Sequence, residues 1–245
     1  MIASIRTELL KLRTTRTTEG SAMAGLALAA LLGAATASIA GHDGAPALGS
    51  ATWVADAIGV STLPVAMALL LGVLLSAGEH QHGTIATTFL VTPRRTRVLA
   101  AKAACMAVAG PAVAIAMMSA SALATVPALT AHSTMPDVAD RRVAVTAVGM
   151  LVACSLLGAA GALLGMLVRS QAAAIVIVVG WALLVEGVVD TIVGGGLRQW
   201  LPGGAAGDLI GHGPHSHLLA AALLAGWTGA LAAITRAVVC ARDVA

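Results

Sequence analysis

The residues best equipped for chemistry fall in three places. The first is Gly78–Lys102, GEHQHGTIATTFLVTPRRTRVLAAK, the one long polar stretch rich in positive charge. It sets the Glu79 carboxylate beside the imidazoles of His80 and His82, then Gly83-Thr84, an apolar run Ile85–Val91, Thr92-Pro93, and the guanidiniums of Arg94, Arg95 and Arg97. The second is Glu186 and Asp190, four apart and therefore on one face of a helix. The third is His212, His215 and His217 in HGPHSH, a spacing that invites a metal reading. Three imidazoles in a Gly-Pro loop without a clear fourth ligand make a poor zinc site, and the run reads as a solvated loop. No G-x-x-x-x-G-K-[ST] phosphate loop, H-E-x-x-H or G-x-S-x-G occurs, so nucleotide hydrolysis or hydrolase chemistry is not expected of this chain.

The elements that must position these groups are greasy. The 245 residues are 58% hydrophobic and 10% charged, whereas soluble domains carry roughly 25% charged residues. Six apolar runs are read as membrane helices. These are 20–41, 57–77 with Pro64 as a kink, 103–131 with Pro111 and Pro127 inside it, 143–168, 170–193 and 218–235. Roughly twenty apolar residues span a bilayer, so the first four are comfortable. The fifth crosses only if Glu186 enters the outer leaflet, and the sixth, at 18 residues, is near the minimum. Residues 1–19 place Ile2, Ile5, Leu9 and Leu12 at helical spacing, with Arg6, Lys11, Arg13 and Arg16 as the polar part. That pattern predicts an amphipathic helix lying on the membrane; a frayed basic tail is the alternative. No cleavable leader is expected there.

Six crossings put both termini on one side. Eleven Lys and Arg then fall on the face holding the termini and three (Arg141, Arg142, Arg198) on the other. By the positive-inside rule the termini and residues 78–102 are cytoplasmic. The basic residues flank apolar runs and form no stripe beside aromatics, which argues against nucleic acid as a partner. Outside, His42–Ala55 and His132–Arg142 read as loops, with Trp53 an interfacial anchor. Residues 194–217 read as a hairpin whose middle, Leu197–Ile210, is too short to cross and dips into the outer leaflet. Within the membrane, Cys105, Cys154 and Cys240 read as buried small side chains, Met117-Met118 as gap-fillers, and Trp181 and Trp227 as helix-packing residues.

A helix stop at Gly83, a helix start at Thr84 and a second stop at Thr92-Pro93 predict a short helix along the inner surface. In this order (Glu79, Gly83-Thr84, an apolar stretch, Thr92-Pro93, Arg94-Arg95, then Lys102) the stretch resembles the membrane subunits of ATP-binding-cassette transporters of the type-2 permease class. The opening Ile5–Arg16 resembles the family's surface helix, and Leu201-Pro202-Gly203-Gly204 its hairpin before the last crossing. Many members carry more charge where His80, Gln81 and His82 stand here. The resemblance implies an all-α integral membrane permease that pairs with a second permease, identical or homologous, and binds two copies of a separate ATPase. ATP and Mg belong to that ATPase, and this chain binds no cofactor and is not an enzyme. Glu79, His80, His82, Gly83, Thr84, Thr92, Pro93, Arg94 and Arg95 are then the ATPase-coupling residues. The cargo, by family habit, is a small apolar or amphipathic molecule such as a drug, antibiotic or lipid, exported across the cell membrane. Glu186 and Asp190 are candidates for the substrate path, since a mid-membrane charge costs about 2.5–3.5 kcal/mol and rarely stands without a use. Two rivals remain at this level: an intramembrane enzyme, and a proton-coupled carrier using Glu186.

Overall fold

The computed structural model describes residues 2–42, 44–59, 62–81, 83–85, 88, 90, 94–181, 186–193, 196–211 and 213–241. Among them all regular structure is helical. In chain order the helices are α1 (Ile2–Thr14), α2 (Arg16–Ser38), α3 (Ala51–Gly59), α4 (Leu63–Gln81), α5 (Arg95–Ala131), α6 (Arg141–Val168), α7 (Gln171–Gly180), α8 (Glu186–Val193), α9 (Pro202–Leu209) and α10 (His217–Ala241), with a 3-10 turn at Arg198–Trp200.

Among the described residues five stretches are long and apolar enough to cross a membrane: α2, the stretch Ala51–Gln81 that holds α3 and α4, α5, α6 and α10. Of the expected fifth crossing, 170–193, the described residues give α7, of ten residues, and α8, of eight, while residues 182–185 between them lie outside the described residues. Pro64, the expected kink, stands where α3 and α4 meet inside the stretch Ala51–Gln81. It sits in the first turn of α4, just after Thr62 with its left-handed φ of 58°, where a missing N–H costs nothing. The polar connection after α4 is shorter than 78–102, because α4 runs on to Gln81 and α5 already begins at Arg95. The last helix reaches 25 residues, well past the expected 18.

Small residues let the central helices touch. A Cβ at Gly161 of α6 would run into the carbonyl of Leu69 on α4, and one at Gly72 of α4 into the carbonyl of Gly158. Backbone approaches of this kind replace the hydrophobic drive that lipid does not supply. Around this seam lies one apolar core. Val65 and Ala68 (α4), Met150, Cys154 and Leu157 (α6), Ala205, Ala206 and Leu209 (α9), and Ala220 and Leu224 (α10) all belong to it. The short helix of the 194–217 hairpin is thus packed into protein, which is the condition for irregular backbone beside lipid.

Two local expectations change. Trp53 is not an interfacial anchor in a loop: it lies in α3, 3% exposed, with Nε1 donating to the carbonyl of Thr36 at 3.1 Å. The indole N–H must find an acceptor once buried, and the end of α2 offers one. Cys105 and Cys154 are buried as expected, but Cys240 is exposed, because it lies on the outer side of α10 near its end. Trp181 and Trp227 meet edge to face, as expected of helix-packing residues, with each more than a third exposed.

The seam yields a test. Gly161→Ala lowers the unfolding temperature in detergent by the equivalent of about 1–3 kcal/mol, the usual cost of overpacking. Gly226→Ala on α10, where an added Cβ meets nothing within 4 Å, leaves it unchanged or slightly raised.

Candidate functional site

The polar end of α4 closes with a specific helix stop. Gly83 adopts φ of 69°. Its N–H donates to the carbonyl of His80 at 3.3 Å, and the Thr84 N–H donates to the carbonyl of Glu79 at 3.0 Å. This pair of bonds is the Schellman pattern, and it needs a left-handed residue where Gly83 stands. The hydroxyl of Thr84 donates back to the Glu79 carbonyl at 3.4 Å. The carbonyl of Thr84 in turn accepts the Thr88 N–H at 3.2 Å and so begins the next turn. In the expected helix Ile85–Val91, residues Ile85, Thr88 and Leu90 are helical, with Leu90 81% exposed. His82, Thr92 and Pro93 lie outside the described residues, as do residues 86, 87, 89 and 91.

This stop aims Glu79 inward, into a group of four charges. Glu8 and Lys11 come from α1, Glu79 from α4 and Lys102 from α5. Lys102 Nζ lies 2.8 Å from Glu8 Oε2 and 2.9 Å from Glu79 Oε1. Lys11 Nζ lies 2.7 Å from Glu8 Oε1 and also binds Glu79 Oε1. The Lys102 side chain is 1% exposed, Glu8 6%, Glu79 8% and Lys11 34%. Lys102 also reaches the carbonyl of Leu75 at 3.5 Å, and the Thr88 hydroxyl approaches Glu79 Oε2 at 3.5 Å. Two carboxylates and two ammonium groups cancel, which is what makes the burial tolerable. Leu9 and Leu12 press α1 onto the apolar cluster of Leu71, Leu75, Cys105 and Met106 beside the charges.

Burial works against the charge on Lys11. Hydrogen bonds to Glu79 and then Glu8, and their negative charges, outweigh it, so this amine stands above its ordinary 10.5. A raised amine stabilises the folded state at every pH below the free-lysine value of about 10.4. That contribution is lost as pH climbs through the higher folded value.

The other predicted coupling residues have separate tasks. His80, half-buried, turns Nδ1 to the carbonyl of Ser76 in its own helix, 3.3 Å away. Arg94 is the exposed N-cap of α5. Arg95 Nη1 donates to the carbonyl of Val239 at 2.9 Å, one of the last-turn acceptors that a helix leaves without a partner. Arg95 thereby clips the end of α10 to the start of α5.

Glu186 is elsewhere. Its Oε1 accepts from Trp181 Nε1 at 3.0 Å and from the Gly203 N–H at 2.8 Å, and the residue is 7% exposed. Gly203 lies in the first turn of α9, so the carboxylate satisfies an orphan donor at a helix N-terminus. A Cβ at Gly203 would collide with that carboxylate. Asp190 is on α8, but its side chain lies outside the described residues. The histidine run divides: His215 Nδ1 contacts Asp208 Oδ2 at 2.7 Å, His217 opens α10, and His212 lies outside the described residues.

A family model described as ABC-2 family transporter protein matches residues 4–188. The chain belongs to the ABC-2 transporter family. No curated protein and no solved structure matches it. As an ABC-2 member it is a type-2 ABC permease, a multi-pass membrane subunit of a transporter rather than a catalyst, and permeases of this family work with an ATPase subunit. The matched region takes in all four charges of the buried group and leaves the 3-10 turn, α9 and α10 outside.

Sequence reasoning missed Glu8. The signal was present, since Glu8 shares the helical stripe of Ile5, Leu9 and Leu12. An acid in the stripe that faces the core needs a buried base, and Lys102 is that base.

Removing one member strands the others. Lys102→Met, which leaves two buried carboxylates facing one half-exposed lysine, costs about 3–5 kcal/mol of stability. Limited proteolysis then cuts in or just after α1 faster than in the unaltered protein. In the unaltered protein α1 stays protected through neutral pH and is released by alkali only above pH about 10.4.

Proposed function

We propose that this ABC-2 permease is the membrane half of an ATP-driven exporter, and that the four-charge group with the segment after it is where a separate ATPase pushes. The observation that carries the reading is the buried group Glu8–Lys11–Glu79–Lys102. It joins three helices at the foot of a polar, arginine-bearing connection. A charge-matched joint transmits movement because its members cannot separate cheaply: pulling one ion from its partners exposes an unpaired buried charge. Force applied to Glu79–Arg95 is therefore shared by α1, α4 and α5, and through Arg95 by α10. Glu79, His80, His82, Gly83, Thr84, Thr92, Pro93, Arg94 and Arg95 form the coupling surface in this reading.

In the same proposal the chain crosses the membrane six times, with residues 170–193 as the fifth crossing. The termini and the coupling segment are cytoplasmic, as the excess of Lys and Arg on that side supports. The helix α1 lies on the inner surface and the 194–217 hairpin dips in from outside. Two permeases, identical or homologous, meet two ATPases that hold ATP and Mg. ATP supplies the differential affinity that shifts an inward-facing state to an outward-facing one. The cargo is a small apolar or amphipathic molecule.

The test is reconstitution of permease and ATPase together in vesicles. Transport and its stimulation of ATP turnover fall at least tenfold when Glu79 is changed to Ala or when Gly83-Thr84 is changed to Ala-Val. Basal turnover of the ATPase alone does not change. Normal coupled transport in those variants refutes the coupling role. Activity of the lone permease without ATP favours an intramembrane enzyme, and transport that follows a pH gradient and ignores ATP favours a proton-coupled carrier.

A further inference from the structure

Three of the chain's four tryptophans gather beside the hairpin, in a sequence with one phenylalanine and no tyrosine. Trp181 and Trp227 meet edge to face, with ring centroids 6.3 Å apart and planes at 67°. Trp227 Nε1 donates to the carbonyl of Trp200 at 2.9 Å, which fixes the ring against the hairpin. The indoles are nonetheless open: Trp181 is 36% exposed, Trp227 41% and Trp200 45%.

Behind the open rings stands the Glu186 carboxylate, joined to Trp181 Nε1. Among the described residues no Lys, Arg or His forms an ion pair with it. The neighbouring imidazole, His215, is turned to Asp208 instead. The site thus sets two part-exposed indoles, whose quadrupoles attract cations, beside a buried carboxylate whose described partners are N–H dipoles. An alkylated ammonium suits such a place, since it carries a full charge with little water to shed and has apolar groups to lay on the rings.

We propose that Trp181, Trp227 and Glu186 form a binding site for an organic ammonium group. The ammonium can arrive on a bilayer lipid headgroup or on a diffusing cation, and the chemistry of recognition is the same. The site uses none of the coupling residues, so binding needs no ATPase.

The experiment is tryptophan fluorescence of the permease alone, reconstituted in vesicles of phosphatidylglycerol or of phosphatidylcholine. The probes are choline and its neutral carbon isostere, dimethylbutanol. In phosphatidylglycerol, choline gives a saturable change and the isostere binds at least about fivefold more weakly, as a cation–π contribution requires. Trp181→Phe removes most of the change, and Glu186→Gln weakens choline about tenfold without affecting the isostere. A choline response that persists in phosphatidylcholine assigns the site to a diffusing cation. A spectrum already shifted in phosphatidylcholine, with no further response, assigns it to the lipid headgroup. Equal binding of choline and the isostere overturns the proposal. So does the absence of a saturable choline response when the spectra in the two lipids are identical. Should Glu186→Gln fail to fold, the comparison of charged and neutral probes on the unaltered protein decides.

Discussion

A lysine with 1% of its side chain exposed dictates the arrangement of one end of this molecule. Lys102 sits two turns into a helix otherwise fit for lipid, and an ion moved out of water costs several kcal/mol unless it is matched at contact distance. One carboxylate, Glu79, arrives from the end of α4. The second, Glu8, can reach it only if α1 folds back against the bundle. Lys11 then balances the second acid. The position of α1 follows from charge matching as much as from its apolar stripe, and the joint between α1 and α2 is a single extended residue, Thr15.

The opposite kind of buried charge holds the hairpin. Glu186 faces the first turn of α9 rather than a basic side chain, and its task in the fold is to satisfy the Gly203 N–H. Backbone that is neither helix nor strand is expensive beside lipid, and a carboxylate at a helix start, with α6 and α10 packed around it, removes part of that expense. Arg95 treats a helix end in the converse way, by placing a cation on the last carbonyls of α10. The two devices lie at different places but on one route. In the proposed mechanism, a movement of the segment after Glu79 reaches α10 through Arg95, and α10 carries Trp227 to the hairpin.

Small residues matter to this picture as much as charges do. The contact of Gly72 and Gly161 with facing carbonyls leaves no space for a side chain, so α4 and α6 lie backbone against backbone along this seam. In the proposed mechanism, a tight seam next to a charge-matched joint lets a local displacement travel instead of being absorbed by loose packing.

The amino-acid sequence by itself determined the class of the protein. Its apolar runs, its shortage of charge and its Lys and Arg placement already specify an all-helical membrane chain, because hydropathy over a span is additive and local. The helix stop at Gly83 was legible for the same reason: a left-handed residue followed by Thr is a local signal. The family pattern from Glu79 to Lys102 was legible as an order of residue types. What only the tertiary structure decided was which distant groups meet. Glu8 joins Lys102 across 94 residues, Glu186 caps Gly203 across 17, and Arg95 reaches Val239 across 144. It also decided that Trp53 turns inward to Thr36. Local rules cannot supply these, since a buried ion or an orphan helix end takes whatever partner the packing brings within 3 Å, however far away that partner lies along the chain.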